Sequence, residues 1–244
     1  MNKEKKSYII KSFEVDFKGK LRIRSLFNLF QDIADTHAEK MGVGYTFCQQ
    51  NNLGWVGSAY HLKINKMPQW GDEITVETWP SGTFAAGGIR DFRVKDNSGN
   101  EIITTTSQWV LIDTVRMRPV PVAKRLPNYE LHEEHALISD FGKIDILEQL
   151  GSEQTFPVHA DDIDLNYHVN NALYPSWILD GLPEEFLKEH TPSEIQISFK
   201  RSAKRGDIVC LKTYMNGSES VHIMTDLEKR TEYARIRVLW SQDT

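Results

Sequence analysis

The chain has 244 residues, of which 40% are hydrophobic and 26% are charged, and it carries a formal net charge of -5. This composition is typical of a folded globular protein, and without long Gly/Ser, Gln/Asn or Pro tracts it excludes extended low-complexity disorder. The acidic balance argues against a nucleic-acid partner, because neutralising many phosphates needs a basic surface. The length fits one large domain or two domains of roughly 120 residues each.

The sequence predicts neither a membrane span nor a signal peptide. No apolar run approaches the roughly 18 residues that a transmembrane helix needs, and the charged start, 1–6, is not followed by an apolar core. The two cysteines, Cys48 and Cys210, lie far apart with no CxxC spacing, so neither a disulfide nor a zinc site is indicated. We therefore expect a cytoplasmic protein with reduced thiols.

The first half is expected to contain one helix followed by antiparallel strands. Apolar residues recur at helical spacing over 26–41, and Gly42 is expected to end that helix. Alternation of apolar and polar residues, separated by turn sequences, then predicts strands. These strands cover 60–65, 74–79, 92–94 and 102–112.

The second half repeats this order. A helix is predicted over 170–179, and strands are predicted over 195–199, 208–214, 221–225 and 236–240. The similar order indicates a structural duplication, with each sheet wrapped around its helix in an α+β fold and the two units sharing a seam as a dimer does. We predict an N-terminal domain over 1–130, a linker over 131–152 and a C-terminal domain over 153–244.

The densest polar cluster lies just before the second helix. Asp164, Asn166 and His168 occupy alternate positions, so an extended segment would point a carboxylate, an amide and an imidazole in the same direction. Three polar groups in register exceed what a helix cap requires, although Asp and Asn at such places can also be plain turn and cap residues. This segment is the first candidate for a catalytic site.

The start of the following helix offers a second feature. Its free N–H groups, at Val169, Asn170 and Asn171, could stabilise the oxyanion that forms when a carbonyl group is attacked. A cap role is an equal alternative for the two asparagines.

The run Asp-Leu-Asn-Tyr-His-Val-Asn-Asn at 164–171, with Tyr174 and Trp177 beyond it, resembles the active-site signature of the acyl-acyl-carrier-protein thioesterases. The first half resembles the same family at three segments, 26–41, 54–56 and 107–120. The resemblance covers most of the chain. It implies a tandem double hotdog fold, each unit an antiparallel sheet wrapped around a long helix.

The resemblance also implies a reaction. Fatty acid would be released by hydrolysis from acyl carrier protein, with Asp164, Asn166 and His168 as catalytic residues and with no metal or organic cofactor. The mechanistic hypothesis is that Asp164 activates the attacking water or attacks the carbonyl directly, while Asn166 and His168 orient the water and polarise the carbonyl. The acyl chain would occupy a tunnel lined largely by the first domain. The candidate lining residues, for which core filling is the default role, are Trp55, Trp79, Phe84, Trp109 and Tyr174.

The sequence departs from the family at one position. Plant members carry a Glu-Cys pair after two basic residues, and the counterpart here is Lys200-Arg201-Ser202-Ala203. Because neither the thiol nor the carboxylate is present, the sequence favours water attack assisted by Asp164 over covalent thiol catalysis.

Basic residues are the candidates for contact with an acidic carrier protein or a phosphopantetheine phosphate, with solvated strand ends as the plainer interpretation. They are Arg116, Arg118, Lys200, Arg201, Lys204 and Arg205.

Four alternatives remain open. An acyl-coenzyme A thioesterase would present the same polar cluster, a non-catalytic acyl-binding module would fit the missing Glu-Cys pair, and a dehydratase of the same fold is a weaker possibility. A metal site is a further alternative without any recognised ligand spacing. Its ligands would be His159, Asp161, Asp162, Asp164 and His168. No membrane insertion is expected, and a homodimer of the whole chain is compatible with the sequence.

Overall fold

The computed structural model describes residues 3–243, which form an antiparallel sheet with helices packed against it. The elements of the first half are β1 (Glu4–Ile9), α1 (Ile23–Lys40), α2 (Tyr45–Gln50), β2 (Leu53–Ile64), β3 (Glu73–Phe84), β4 (Gly87–Asp96), β5 (Glu101–Asp113), β6 (Arg118–Pro119) and α3 (Val122–Arg125). Those of the second half are β7 (Leu150–Pro157), α4 (Tyr174–Trp177), α5 (Glu184–Glu189), β8 (His190–Phe199), β9 (Ile208–Asn216), β10 (Glu219–Asp226) and β11 (Glu232–Gln242).

The two halves have the same connectivity. From the outer edge towards the middle, the strands of the first half run β1-β3-β4-β5-β2 and those of the second half run β7-β9-β10-β11-β8. Each half therefore consists of an edge strand, a helical segment, a seam strand and a three-stranded meander. This repetition confirms the predicted duplication and the tandem α+β fold.

Strands β2 and β8 join the halves into one continuous sheet. They pair antiparallel from Ala59 opposite Ser198 to Lys63 opposite Glu194. Leu62 and Ile195, which face each other in this register, are both fully buried. Both the backbone pairing of β2 with β8 and the buried apolar side chains between them therefore hold the two halves together at this seam.

Helix α1 is buried along one stripe, as its periodicity predicts. Leu26, Phe30 and Ile33 are at most 1% exposed, and burial of each such side chain contributes roughly 1.5–3 kcal/mol. The ring of Phe30 packs 4.7 Å from that of Phe92 on β4. The helix ends at Lys40, and Gly42 follows with a φ of 73°, which is the left-handed conformation that favours glycine.

The prediction of a long second helix over 170–179 is wrong. The structure has only the four residues of α4, followed by a 3-10 turn over Ile178–Gly181. Pro175 lies in the first turn of α4, and its missing N–H cannot support a helix that begins several residues earlier. At the other end Gly181 approaches β9 so closely that an added Cβ would lie 2.1 Å from the hydroxyl of Thr213.

Both edge strands, β1 and β7, were missed by pattern analysis. Strand β1 has mostly charged and polar side chains, and β7 begins at Leu150, inside the predicted linker. The segment over 127–149 contains no helix or strand. Its first part lies along the first half, where the N–H of His132 donates to the Pro80 carbonyl at 2.9 Å, and its later part reaches the second half, where Arg235 donates to the Ile144 carbonyl at 2.9 Å. The domain boundaries themselves stay a prediction. Among the helices in the described part of the chain, none is long and apolar enough to cross a membrane.

Candidate active site

The segment over 163–169 forms a tight turn. Ile163 and Val169 form an isolated antiparallel bridge, and the N–H of Asp164 donates to the His168 carbonyl at 2.8 Å. Oδ1 of Asp164 accepts from the N–H of Asn166 at 2.8 Å and from that of His168 at 3.4 Å. Tyr167 has a φ of 60°. The predicted extended conformation is therefore wrong, because side-chain capping by Asp164 favours a turn.

The three candidate catalytic side chains nevertheless lie on one short turn. Asp164 and His168 are half-buried and Asn166 is exposed. Within the described residues no hydrogen bond joins their side chains to one another. Only Oδ1 of Asp164 caps the turn, so Oδ2 is free to accept a proton. The roles of these residues stay a prediction.

Two of the three N–H groups expected to stabilise an oxyanion are already engaged. The N–H of Val169 donates to the Ala203 carbonyl at 3.0 Å, and that of Asn170 donates to the Asp162 carbonyl at 2.9 Å. The prediction is therefore wrong for these two groups. The Asn171 N–H makes no hydrogen bond to another described residue, so it is the remaining candidate.

Asn171 connects the turn to the first half of the molecule. Its Nδ2 atom lies 3.0 Å from the position that a Cβ on Gly57 would occupy, beside the rings of Tyr60 and Trp109. Gly57 lies at an irregularity in the pairing of β2 with β5. The absence of a side chain at Gly57 is what lets the amide approach the strand this closely.

The segment that replaces the Glu-Cys pair of the plant enzymes packs against the same turn through its backbone. The Ala203 carbonyl accepts from Val169, and the Ala203 N–H donates to the hydroxyl of Tyr174 at 2.9 Å. No thiol of the chain reaches this region. Cys48 is buried beside the Val43 carbonyl, and burial raises the pKa of its thiol to about 11. Cys210 is buried on β9, and burial together with a hydrogen bond to Glu153 raises its pKa.

A cavity of about 510 Å³, counted with its open mouth, lies between α1 and the strands of the first half. Ala34 and Ala38, one turn apart on α1, leave room for it because their side chains are small. Trp55 and Trp109 line it, and their contact with an acyl chain stays a prediction. The other lining residues are Asp35, Met41, Val43, Pro80, Gly88, Ile89, Arg90 and Tyr129.

The other three predicted lining residues lie elsewhere. Trp79 is fully buried beneath the 127–149 segment, where its indole N–H donates to the Glu134 carbonyl at 2.7 Å. Phe84 packs over Gly87 at the β3–β4 turn. Tyr174 contacts Ala203 and packs in the core, with its ring 5.6 Å from that of Phe199. The prediction is wrong for these three because alternate residues of a strand face opposite sides and the core also needs aromatic filling.

Sequence analysis missed the polar residues of the cavity. Burial raises the pKa of Asp35 to about 6; the nearby cation of Arg90 opposes this shift and the carboxylate of Asp164 adds to it. The periodicity of α1 gives no signal for Asp35, because this residue lies on the exposed polar face of the helix together with Asp32 and Glu39.

All six candidate carrier-contacting residues are exposed, but they form two groups. Lys200, Arg201, Lys204 and Arg205 follow β8, beside the candidate catalytic turn. Arg116 and Arg118 lie after β5, whose last residue, Asp113, pairs with Leu53 at the start of β2, whereas the end of β8 pairs with β2 at Ala59. About six residues of β2 separate the groups, which corresponds to roughly 20 Å. In the described part of the chain, no three His, Cys, Asp or Glu residues cluster where they could hold a metal ion.

Two family models match the chain. The model described as the acyl-ACP thioesterase N-terminal domain matches residues 1–128, and the model of the C-terminal domain matches residues 147–242. Among curated proteins, the chain is 30% identical over 226 residues to oleoyl-acyl carrier protein thioesterase 2, chloroplastic, of Arabidopsis thaliana; the match covers 84% of the chain and 61% of that protein. It is 27% identical to dodecanoyl-[acyl-carrier-protein] hydrolase, chloroplastic, of Umbellularia californica, covering 97% and 67%.

Solved structures agree in fold. An acyl-ACP thioesterase from Bacteroides thetaiotaomicron superposes with a TM-score of 0.84 at 22% identity, covering 97% of both chains. The 12:0-ACP thioesterase from Umbellularia californica superposes with a TM-score of 0.86 at 24% identity, covering 98% of this chain and 97% of that one. The chain spans only about 60% of the length of the first curated relatives, 62% and 61% in two cases.

Proposed function

The chain belongs to the acyl-ACP thioesterase family, and we propose that it hydrolyses the thioester of fatty acyl-acyl-carrier protein to release free fatty acid. The main support is the position of the Asp164 turn. Asn171, two residues after this turn, lies beside Gly57 and Trp109, and Trp109 lines the cavity of the first half. An acyl chain in that cavity would bring its carbonyl to the turn. The curated relatives are named as hydrolases of acyl-carrier-protein thioesters.

The reaction needs one water molecule and no cofactor. Oδ2 of Asp164, which the turn leaves free, accepts a proton as the water oxygen attacks the thioester carbonyl carbon. Asn166 and His168 orient the water, and the Asn171 N–H stabilises the oxyanion. The carbon–sulfur bond then breaks, and the proton passes to the departing sulfur. The products are a fatty acid and the carrier's phosphopantetheine thiol.

The basic segment beside the turn is the proposed contact for the carrier protein. Lys200, Arg201, Lys204 and Arg205 are exposed and follow the strand that leads to the site. Tyr167, which is 85% exposed on the turn, adds an apolar contact. An acidic carrier would be attracted to this surface at low ionic strength, and salt would weaken the attraction. A homodimer stays a prediction.

The test compares wild-type protein with Asp164→Asn on a panel of acyl-carrier-protein thioesters. An asparagine oxygen can still cap the turn, so the variant should fold while losing the base. We expect release of free fatty acid by the wild type and a loss of roughly 100-fold or more in Asp164→Asn. Asp161→Asn, an exposed neighbour, is the matched control and should keep wild-type activity. Full activity in Asp164→Asn would reject this residue as the base.

The same assay separates the alternatives. A preference for the same acyl chain on coenzyme A would indicate an acyl-coenzyme A thioesterase. Tight acyl binding without turnover by the wild type would indicate a binding module and would reject the proposed activity.

A further inference from the structure

A row of three residues crosses the floor of the cavity. Gly57 on β2 and Gly88 on β4 each lie directly opposite Trp109 on β5. Residues that face each other in antiparallel strands point to the same side of the sheet, so all three lie on the side where Trp109 lines the cavity. Two strand spacings separate the two glycines, which corresponds to roughly 10 Å. This part of the floor is therefore an indole ring flanked by two positions without side chains.

Each glycine is covered by a different part of the chain. A Cβ on Gly57 would lie 3.0 Å from Nδ2 of Asn171, which follows the candidate catalytic turn. A Cβ on Gly88 would lie 3.7 Å from the hydroxyl oxygen of Tyr129 and 4.0 Å from the ring of Trp55. The candidate catalytic turn and the Tyr129 side chain therefore lie at opposite ends of the same row.

Tyr129 belongs to the segment between the halves and is fixed on both sides. The N–H of Leu126 donates to the Val122 carbonyl at 3.0 Å, and that of His132 donates to the carbonyl of Pro80, another cavity residue, at 2.9 Å. The half-buried Tyr129 ring packs against the apolar cluster to which Leu126 and Val122 belong. Its hydroxyl makes no hydrogen bond to another described residue. Packing of the ring therefore holds this side chain in place.

We propose that Tyr129 sets the longest acyl chain that the cavity accepts. The inference rests on the proposed function for the position of the carbonyl. A chain whose carbonyl lies at the turn beside Gly57 would cross Trp109 and meet Tyr129 over Gly88. An extended chain advances about 1.2 Å per bond, as an extended peptide advances about 3.3–3.6 Å over three bonds, so the row holds roughly eight carbons. The substrates are then unbranched chains of about eight to ten carbons.

The test measures binding without turnover. The ligands are pantetheine analogues in which an amide nitrogen replaces the thioester sulfur, with saturated acyl chains of eight, ten, twelve and fourteen carbons. Each methylene group that becomes buried should lower the Kd roughly fourfold in calorimetric titrations. In the wild type this gain should end at about ten carbons, so that the fourteen-carbon ligand binds no more tightly than the ten-carbon ligand.

Tyr129→Ala is the decisive variant, because it removes the ring. The fourteen-carbon ligand should bind at least about tenfold more tightly than it binds the wild type, while the Kd of the eight-carbon ligand changes less than about threefold. Tyr129→Leu, which keeps an apolar side chain in the cluster, should shift the series in the same direction by a smaller amount. The result then does not depend on the stability of one variant.

Two substitutions serve as controls. Tyr129→Phe keeps the ring and loses only the unpaired hydroxyl, and Tyr45→Ala removes a ring that is 53% exposed on α2. Both should keep the wild-type series.

Three outcomes would overturn the inference: an unchanged series in Tyr129→Ala, the same change in Tyr129→Phe, or a wild-type Kd that keeps falling up to fourteen carbons. Hydrolysis of acyl-carrier-protein thioesters with a chain-length profile that Tyr129→Ala leaves unchanged would also overturn it, and would leave the proposed function standing. A binding series that depends on Tyr129, in a protein that hydrolyses no thioester, would overturn the proposed function and leave this inference standing.

Discussion

The two carboxylate oxygens of Asp164 have different surroundings. Oδ1 accepts from two backbone N–H groups and holds the turn, while Oδ2 has no such partner. Truncation to alanine would remove both, so a loss of activity could reflect a disordered turn as well as a missing base. Loss of such a cap is worth about 1 kcal/mol. Asparagine separates the two effects because it keeps the acceptor and removes the basicity.

Gly57 is the residue at which the turn meets the first half. Gly57→Ala would place a methyl group 3.0 Å from Nδ2 of Asn171, closer than a normal van der Waals contact. Asn171 must then move by a few tenths of an ångström, and we expect kcat/KM to fall roughly tenfold while stability changes by no more than about 1 kcal/mol. Steady-state kinetics and thermal unfolding measure the two effects.

Gly82→Ala on β3 is the control for this substitution. The nearest atom to its added methyl group, on Ile89, would be 3.6 Å away, an ordinary contact. Similar activity losses in both variants would contradict a specific role for the approach of Asn171 to Gly57.

The loop between β8 and β9 and the candidate catalytic turn depend on each other. Ala203 is the link, because its carbonyl accepts from Val169 and its N–H donates to Tyr174. Tyr174→Phe would leave that buried N–H without a partner, which costs about 1–3 kcal/mol. We expect a lower Tm and faster hydrogen exchange over 200–206 and 163–169 together.

Tyr167→Phe removes a hydroxyl from a residue that is 85% exposed and serves as the control. It should leave the Tm and the exchange unchanged. Faster exchange over 200–206 alone in Tyr174→Phe would mean that the two loops are independent.

The second helical segment shows what periodicity cannot resolve. Apolar residues over 172–179 repeat at helical spacing, and this segment does turn helically, but it divides into α4 and a 3-10 turn. The spacing reports which side of the segment faces the core. Its length is set by Pro175 and by the close approach of Gly181 to β9, and only the second of these needs the tertiary structure.

At the scale of the whole molecule, alternation identified the inner strands of both halves because one face of each strand is apolar and packs against the core. Strand β1 was not predicted because most of its side chains are exposed, so it lacks an apolar alternation. The candidate catalytic residues were found because they are contiguous in sequence. The cavity was only partly found, since Asp35, Arg90 and Tyr129 come from three separate segments that only the fold brings together.

The continuous sheet predicts that the two halves unfold together. Leu62 on β2 is fully buried and lies opposite Ile195 of β8, so Leu62→Ala should remove about 2–5 kcal/mol of stability from the seam. We expect a single calorimetric transition at a lower Tm, with equal losses of exchange protection in β3 and β9, each next to the edge strand of its half. Val56→Ala, at a β2 residue 39% exposed, should change stability by less than about 0.5 kcal/mol. Two separate transitions, with only one shifted by Leu62→Ala, would mean that each half folds as an independent domain and that the seam contributes little to either.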